Sequence, residues 1–168
     1  ISGKTILELG PGDSVASALI ACSLGAKCIL IDTNDFISNK IQFYHILEKR
    51  LKEMNYNPPN IQNTKDVYEI LKLCNSYYYV QGKQSMKLIK SNSVDLIFST
   101  AVLEHLKLNE FGIIINEMRR VLKKDGLTSH EVDLKDHLNK SLNNLRFSKR
   151  IWESKFFSNS GFYTNRIR

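Results

Sequence analysis

Short apolar runs alternate along the chain with longer segments whose apolar residues recur at helical spacing. The apolar runs predict strands over Thr5–Leu9, Lys27–Ile31, Tyr77–Val80, Val94–Phe98 and Leu127–Asp133. The helical segments predict helices over Val15–Leu24, Ser38–Met54, Thr64–Cys74 and Asn109–Leu122. Because strands that alternate with helices pair in parallel and are covered on both faces, the pattern predicts an α/β fold with a mostly parallel sheet.

Polar and glycine residues between these segments predict where several helices begin and end. Gly10-Pro11-Gly12 forms a tight turn after the first strand, and Asp13 or Ser14 is expected to cap the helix that follows. Gly25 is placed to end that helix. Thr64 is the expected cap of the third helix.

The alternation of strands and helices stops near residue 133. Lys123–Gly126 is expected to form the turn into the fifth strand, and beyond that strand the pattern supports one helix, Ser148–Phe157, but no strand pair. We therefore expect a single domain over 1–168, with a core at 5–133 and a C-terminal segment at 134–168. The chain begins almost inside a strand, so we also expect it to be a fragment of a longer protein.

Composition places the chain among ordinary globular proteins, and the charge is unevenly distributed. The 168 residues are 42% hydrophobic and 24% charged, with a net charge of +7. Residues 1–133 hold 16 Lys and Arg against 15 Asp and Glu, whereas residues 134–168 hold 8 against 2. Such a basic segment can meet phosphates or an acidic substrate. Nucleic acid is possible but not favoured, because aromatic and basic residues are not interleaved as in RNA-binding motifs.

Cysteine usage and hydropathy indicate a cytoplasmic protein. Cys22, Cys28 and Cys74 form an odd set without C-x-x-C spacing, which is typical of reduced thiols rather than of disulfides or a zinc site. No apolar run reaches the roughly 18 to 20 residues that a membrane-spanning helix needs. Residues 1–30 also lack the order of a signal peptide.

The ends of the first two strands predict a nucleoside-binding crevice. In open parallel sheets, ligands bind beyond the carboxyl ends of the strands. Glycines at positions 10 and 12 let a ligand approach the backbone at a helix N-terminus, and Asp32 follows the second strand 20 residues after Gly12. A carboxylate at that place can accept hydrogen bonds from both hydroxyls of a ribose.

The glycine spacing narrows the choice of cofactor. A dinucleotide fingerprint needs a third glycine where Val15 stands, and the G-x-x-x-x-G-K-[ST] pattern of P-loop proteins is absent. A cofactor with a ribose and an adenine but no pyrophosphate remains, and S-adenosyl-L-methionine fits that description.

Three segments resemble class I S-adenosylmethionine-dependent methyltransferases, in particular methyltransferase type 11-like domains. Residues 6–14 resemble the first motif of that superfamily, with Ser14 in place of a third glycine. Residues 93–106 resemble its fourth-strand segment, and residues 119–126 resemble its approach to strand five, with Asp125 where a glycine is common. The resemblance implies a Rossmann-like three-layer sandwich with a mostly parallel sheet and strand order 3-2-1-4-5. The antiparallel hairpin that ends the family fold has no counterpart in this sequence.

The resemblance also implies roles for individual residues around the cofactor. Gly10, Pro11 and Gly12 would line its methionine and ribose parts, Glu8 would lie near its amino group, and Asp32 would hold the ribose hydroxyls. Lys83 and Gln84 stand where the family contacts adenine, with Lys83 at a position that is often acidic. Thr100 and Ala101 would form the wall opposite the methyl group, with close packing as the alternative role.

No catalytic residue is assigned, because methyl transfer depends largely on orientation and needs no metal. An acceptor hydroxyl would require a base, and the candidates at the correct edge of the sheet are Glu104, His105, His130, Asp133 and His137. Glu104 and His105 are alternatively structural residues of the loop after strand four. Asp133, Asp136 and His137 resemble a metal cluster, but we expect solvated loop residues and no metal there.

The sequence therefore leaves three functional hypotheses. The first is S-adenosylmethionine-dependent methyl transfer, by in-line displacement, to an acceptor that the sequence does not identify. The second is a nucleoside-binding or scaffolding module with the same fold and no turnover. The third is an NAD-dependent oxidoreductase, which Val15 disfavours.

Overall fold

The computed structural model describes residues 1–137 and 141–167, and all five predicted strands are present. The strands are β1 (Thr5–Leu9), β2 (Lys27–Ile31), β3 (Tyr77–Tyr79), β4 (Val94–Thr100) and β5 (Leu122–Glu131). The helices are α1 (Ala16–Ser23), α2 (Ile41–Glu53), α3 (Val67–Leu73), α4 (Lys83–Met86), α5 (Leu108–Val121), α6 (Lys149–Trp152) and α7 (Lys155–Ser158). Two 3-10 turns lie at Leu103–His105 and Asn143–Arg146.

The sheet is parallel throughout, in the order β3-β2-β1-β4-β5, so the predicted α/β fold and strand order are confirmed. The central strand, β1, pairs with β2 through Leu7 and Ile29 and with β4 through Leu7 and Ile97. One face of the sheet packs on α1, α2 and α3 around Leu19, and the other packs on α4 and α5 around Met86. The three layers of the predicted sandwich follow from these two cores.

The start of β5 differs from the sequence prediction. Lys123–Gly126, predicted to be a turn, lie inside β5, which begins at Leu122 directly after α5 and ends at Glu131 instead of Asp133. Between the β4 pairings of Leu122 and Leu127 the register shifts. A bulge thus absorbs the extra residues, so no separate turn is needed to reach the strand.

The polar residues before α1 do not all act as predicted. Val15 is the N-cap residue, and its N–H donates to the hydroxyl of Tyr44 at 2.9 Å. Ser14 Oγ accepts a hydrogen bond from the N–H of Ala16 at 3.1 Å. Asp13 is not a cap: its carboxylate pairs with Lys40 at 2.8 Å. Gly25 ends α1 as predicted, with a φ of 77° that suits glycine.

The cap of α3 is Asp66, not Thr64. The Asp66 carboxylate accepts from the N–H groups of Tyr68 and Glu69, whereas the Thr64 hydroxyl donates to the carbonyl of Ile61. Asp66 is favoured because its carboxylate reaches two free N–H groups at a positive helix end.

The predicted helix at Ser148–Phe157 is two short helices, α6 and α7. Ser148 caps the first and Ser154 caps the second, each accepting a hydrogen bond from an N–H three residues later. The hydroxyl of Ser154 competes for a backbone N–H in the middle of the expected helix and starts a new turn there.

The C-terminal segment folds around one buried tryptophan. The Trp152 ring is fully buried and lies 5.5 Å from the Phe147 ring, 5.1 Å from the Phe157 ring and 6.0 Å from the Tyr163 ring. Its indole N–H donates to the carbonyl of Thr164 at 2.7 Å. No residue of the described parts of 132–167 belongs to a strand.

The segment is fastened to the loop that follows β4. The side-chain amide of Asn165 donates to the carbonyls of Leu103 at 2.6 Å and Leu106 at 3.0 Å. The Asn165 N–H also donates to the carbonyl of Glu104. Residues 103–106 are therefore held from the outside by the C-terminal segment.

Asp95 ties three strands together at the end of the sheet opposite that loop. Its carboxylate pairs with Lys4 at 3.1 Å and Lys123 at 2.7 Å, and accepts the Thr5 N–H at 2.9 Å. The Lys123 ammonium and the Thr5 N–H hold the pKa of the Asp95 carboxyl well below its usual range.

Among the described residues, no helix is long and apolar enough to cross a membrane.

Replacing this carboxylate is expected to change the pH dependence of stability. A carboxyl whose pKa is lowered on folding stabilises above its unfolded pKa, and that contribution is lost as pH falls. Asp95→Asn should lower the free energy of unfolding by about 1 kcal/mol at pH 7 and by clearly less near pH 2, where part of the contribution has been lost. Urea titrations at both pH values measure this, and Asp125→Asn, at an exposed carboxylate, is the control. An equal loss at both pH values would contradict the assignment.

Removing the indole is expected to loosen the C-terminal segment. Trp152→Ala should cost about 3–5 kcal/mol, the usual range for a buried aromatic replaced by alanine. Hydrogen exchange should then accelerate at the amides of residues 103–106 as well as within the segment, because Asn165 connects the two. Ile151→Ala, at a half-exposed neighbour, is the matched control and should change exchange little. Unchanged exchange at 103–106 in Trp152→Ala would show that the segment does not support the loop.

Candidate functional site

A crevice opens at the carboxyl end of the sheet, where β1 through β4 end. It consists of two adjoining concavities that share Thr33, Gly82, Lys83, Leu106 and Ile114. The first is also lined by Leu9, Gly10, Ile31, Asp32, Met86, Val102 and Leu103, and the second by Val80, Gln81 and Glu110. Most of these side chains are apolar, so the crevice offers an apolar floor with a few polar groups at its mouth.

Two glycines form the turn between β1 and the crevice, and each is required for a different reason. Gly10 has a φ of 69°, and a Cβ there would lie 2.4 Å from the Val102 side chain. Gly12 has a φ of 64°, and a Cβ there would meet no atom within 4 Å. Gly10 thus lets the loop after β4 approach, whereas Gly12 leaves open space beside the backbone. Pro11 lies between them, half-buried.

The structure brings Asp32 and Gly12 into direct contact. The Gly12 N–H donates to Asp32 Oδ2 at 3.2 Å, and the Thr33 N–H donates to Asp32 Oδ1 at 2.7 Å. The carboxylate is half-buried and is a lining residue of the crevice. These two hydrogen bonds fix its orientation and leave further lone pairs for hydroxyl donors.

Glu8 is a half-buried carboxyl in the central strand. Burial raises the pKa of the Glu8 carboxyl, and the nearby charge of Asp32 raises it further, against a lowering effect of the Ser17 hydrogen bond. The Ser17 hydroxyl donates to Glu8 Oε2. A cation beside Glu8 would relieve the cost of holding its charge in this place.

The two residues predicted after β3 are not placed alike. Lys83 lines the crevice and pairs with Glu110, whereas Gln84 is exposed on α4 and is not a lining residue. Gly82 was missed: its φ is 51°, and its N–H donates to the Asp32 carbonyl at 2.8 Å. A glycine just after a strand was the available indication, the same one that singled out Gly10 and Gly12.

Thr100 and Ala101 do not line the crevice. Both are exposed, and Ala101, with a φ of 54°, donates its N–H to the Glu131 carbonyl at 3.0 Å. The residues that line the crevice after β4 are Val102, Leu103 and Leu106. Sequence analysis missed these three because apolar residues at the start of a loop look like ordinary core.

Of the five acid–base candidates, Glu104 is buried and His130 is half-buried. Glu104 is buried: its Oε1 accepts the Asp133 N–H at 3.1 Å, and its Oε2 has no partner among the described residues. His130 Nδ1 lies 2.8 Å from Ser99 Oγ, and its buried Nε2 has no described partner. Burial lowers the pKa of the His130 imidazole, which favours its neutral form.

The other candidates are exposed. The His105 and His137 rings lie 5.0 Å apart, and Asp133 Oδ1 accepts the Lys135 N–H at 2.9 Å as in a local turn. Asp136 is buried and accepts the Asn144 N–H at 2.9 Å. Within residues 1–137 and 141–167 there is no group of three or more His, Cys, Asp or Glu that could hold a metal ion.

Comparisons with solved structures find the same fold in methyltransferases. Phosphoethanolamine N-methyltransferase 2 of Haemonchus contortus, solved with S-adenosyl-L-methionine, is 19% identical with a TM-score of 0.50, covering 86% of this chain and 28% of that one. A SAM-dependent methyltransferase of Methanosarcina mazei is 24% identical with a TM-score of 0.44, covering 73% and 50%. An antibiotic-related methyltransferase is 15% identical with a TM-score of 0.47, covering 93% and 65%. The chain thus spans less than two thirds of the length of each of these three.

Sequence comparison identifies the family. No curated protein matches the chain significantly. A family model described as a methyltransferase domain matches residues 37–129, which is more than half of the chain. The match begins after the glycine turn and Asp32, so it does not cover the crevice residues at the ends of β1 and β2. With the parallel sheet in the order 3-2-1-4-5, this match shows that the chain belongs to the class I S-adenosylmethionine-dependent methyltransferases.

Proposed function

We propose that this domain binds S-adenosyl-L-methionine in the crevice and transfers its methyl group to an acceptor by in-line displacement. The observation that carries the proposal is the contact between Gly12 and Asp32 beside open space. An exposed backbone next to a fixed carboxylate suits a ribose, because its two hydroxyls donate to the carboxylate while the sugar lies against the glycine.

The other crevice residues fit the remaining parts of this cofactor. Ile31, Met86 and Ile114 offer an apolar slot for the adenine ring. Lys83 lies at its edge, but its charge is paired with Glu110, so Lys83 marks a polar border and not a free cation. Gly82 lets the backbone after β3 approach Thr33, the residue next to Asp32.

Glu8 supports a cationic ligand at the β1 end of the crevice. Its raised carboxyl pKa reflects burial without a paired cation. The ammonium of the methionine part would supply the missing positive charge and favour the ionised carboxylate. Gly10 and Pro11, directly after β1, would lie along the same part of the cofactor.

The chemistry requires mainly that the reacting atoms be aligned. When bound, the cofactor supplies an electrophilic methyl group on a sulfonium. The chain holds it in the crevice and presents an acceptor in line, which lowers the barrier through orientation. Thr100 and Ala101 are exposed just before Val102, and in this proposal they would meet the acceptor. Burial lowers the pKa of His130, which favours a neutral imidazole that can accept a proton, whereas Glu104 is committed to the loop.

Asp32→Ala is expected to weaken cofactor binding at least ~10-fold with the fold intact. Charge-assisted hydrogen bonds contribute about 1.5–3 kcal/mol each, and about 1.4 kcal/mol corresponds to a factor of ten in affinity. Isothermal titration with S-adenosylhomocysteine measures the change, and circular dichroism checks the fold.

Asp35→Ala is the matched control. Asp35 is exposed and accepts the Tyr68 hydroxyl at 2.5 Å, outside the crevice. Its loss should change cofactor affinity less than twofold. Equal affinities for wild type and Asp32→Ala would contradict the ribose assignment. Cofactor binding without methyl transfer to any acceptor pool would instead favour a non-catalytic nucleoside-binding module.

A further inference from the structure

A separate concavity lies at the start of α5, next to the loop that walls the crevice. Lys107, at the start of α5, meets Lys149 and Lys155 of the C-terminal segment there, together with Glu153 and Asn159. We call it the basic concavity. It joins residues more than 40 positions apart in the sequence, so the chain's fold, not local sequence, creates the concentration of positive charge.

The three lysines form no ion pair with a carboxylate of the described residues. Among residues 1–137 and 141–167, none of them lies within 4.0 Å of a carboxylate oxygen. Lys107 Nζ donates to the uncharged amide oxygen of Asn159. Glu153, the acidic lining residue, has its Oε2 engaged by the Tyr163 hydroxyl at 2.8 Å. Converging like charges repel one another, and a bound anion would remove that repulsion.

The backbone that carries these lysines is firmly placed. Trp152, fully buried, lies between Lys149 and Lys155 in the sequence and fixes α6 and α7 around its ring. Asn165 then fastens the segment to the carbonyls of Leu103 and Leu106. The lysines are therefore presented from a built surface and not from a loose tail.

The basic concavity adjoins the crevice without being part of it. Leu106 lines the crevice, and its neighbour Lys107 lines the basic concavity. The cation of the crevice, Lys83, is already paired with Glu110. A ligand that spans both places would have its reacting end near the crevice and its anionic end at the lysines.

We infer that the basic concavity binds the phosphate or carboxylate group of a small methyl acceptor, an inference that rests on the proposed function for the identity of the ligand. A small anion fits better than a nucleic acid. The three lysines lie around a single concavity, whereas a nucleic acid needs cations spread along its chain of phosphates.

Anion binding can be tested without any methyl transfer. Inorganic phosphate, and acetate in a second arm, are titrated into the 15N-labelled full chain. Saturable shifts are expected at the amides of residues 107–109 and 149–159, with the tighter probe identifying the acidic group. The double variant Lys149→Gln/Lys155→Gln should bind that probe about tenfold more weakly, since each exposed ion pair contributes modestly.

A control variant with the same loss of charge separates a site from general attraction. Lys27→Gln/Lys72→Gln removes two exposed lysines elsewhere and should change anion affinity less than twofold. Equal weakening in both variants, or no saturable shift with either probe, would overturn the inference. So would displacement of S-adenosylhomocysteine by phosphate, which would place the anion in the crevice.

The identity of the ligand is tested separately. S-adenosylhomocysteine should bind wild type and both double variants equally, and failure of the wild type to bind it would instead overturn the proposed function. Methyl transfer is then compared between a pool of small phosphorylated and carboxylated acceptors and the same pool with those groups removed or esterified. We expect transfer to the anionic pool that falls with Lys149→Gln/Lys155→Gln. Equal transfer to the two pools would overturn the assignment to the acceptor.

Discussion

The parallel pairing of β1 with both β2 and β4 is the constraint on which the site depends. Leu7 lies opposite Ile29 on one side and Ile97 on the other, so the three strands share one register and end together. The turn at Gly10 therefore meets Asp32 from one side and Val102 from the other. A one-residue slip of β1 would exchange its two faces and separate these groups. The geometry of the crevice thus depends on the pairing of these three strands.

The loop after β4 connects the cofactor side of the molecule to the C-terminal segment. Val102, Leu103 and Leu106 face the crevice, while the carbonyls of Leu103 and Leu106 accept hydrogen bonds from Asn165. A wall made by a loop needs such support, because loops have few backbone bonds of their own. The same loop leads into Lys107, so it lies between the crevice and the basic concavity.

Charges are treated differently in the two parts of the chain. In the α/β core, Asp95 takes up two lysines and Arg120 is held by Glu117 and by two backbone carbonyls. These ion pairs and hydrogen bonds neutralise charged side chains at the ends of strands and helices, so little net charge remains there. In the C-terminal segment, Lys149 and Lys155 form no ion pair with a described residue, and both line the basic concavity. Positive charge is therefore gathered at the basic concavity, where it can select an anion.

The sequence by itself determined the strands, the α/β class and the juxtaposition of the glycine turn with Asp32. The hydrophobic period and the strand ends can be read locally, and in a parallel sheet the residues that follow neighbouring strands lie at the same edge. Local patterns failed where competing hydrogen bonds decided the outcome, as at Asp66, at Ser154 and in the bulge of β5. Only the tertiary structure decided which apolar residues wall the crevice and that Lys107 meets Lys149 and Lys155. Those contacts join distant segments through the burial of Trp152 and the side-chain amide of Asn165, and no spacing along the chain encodes them.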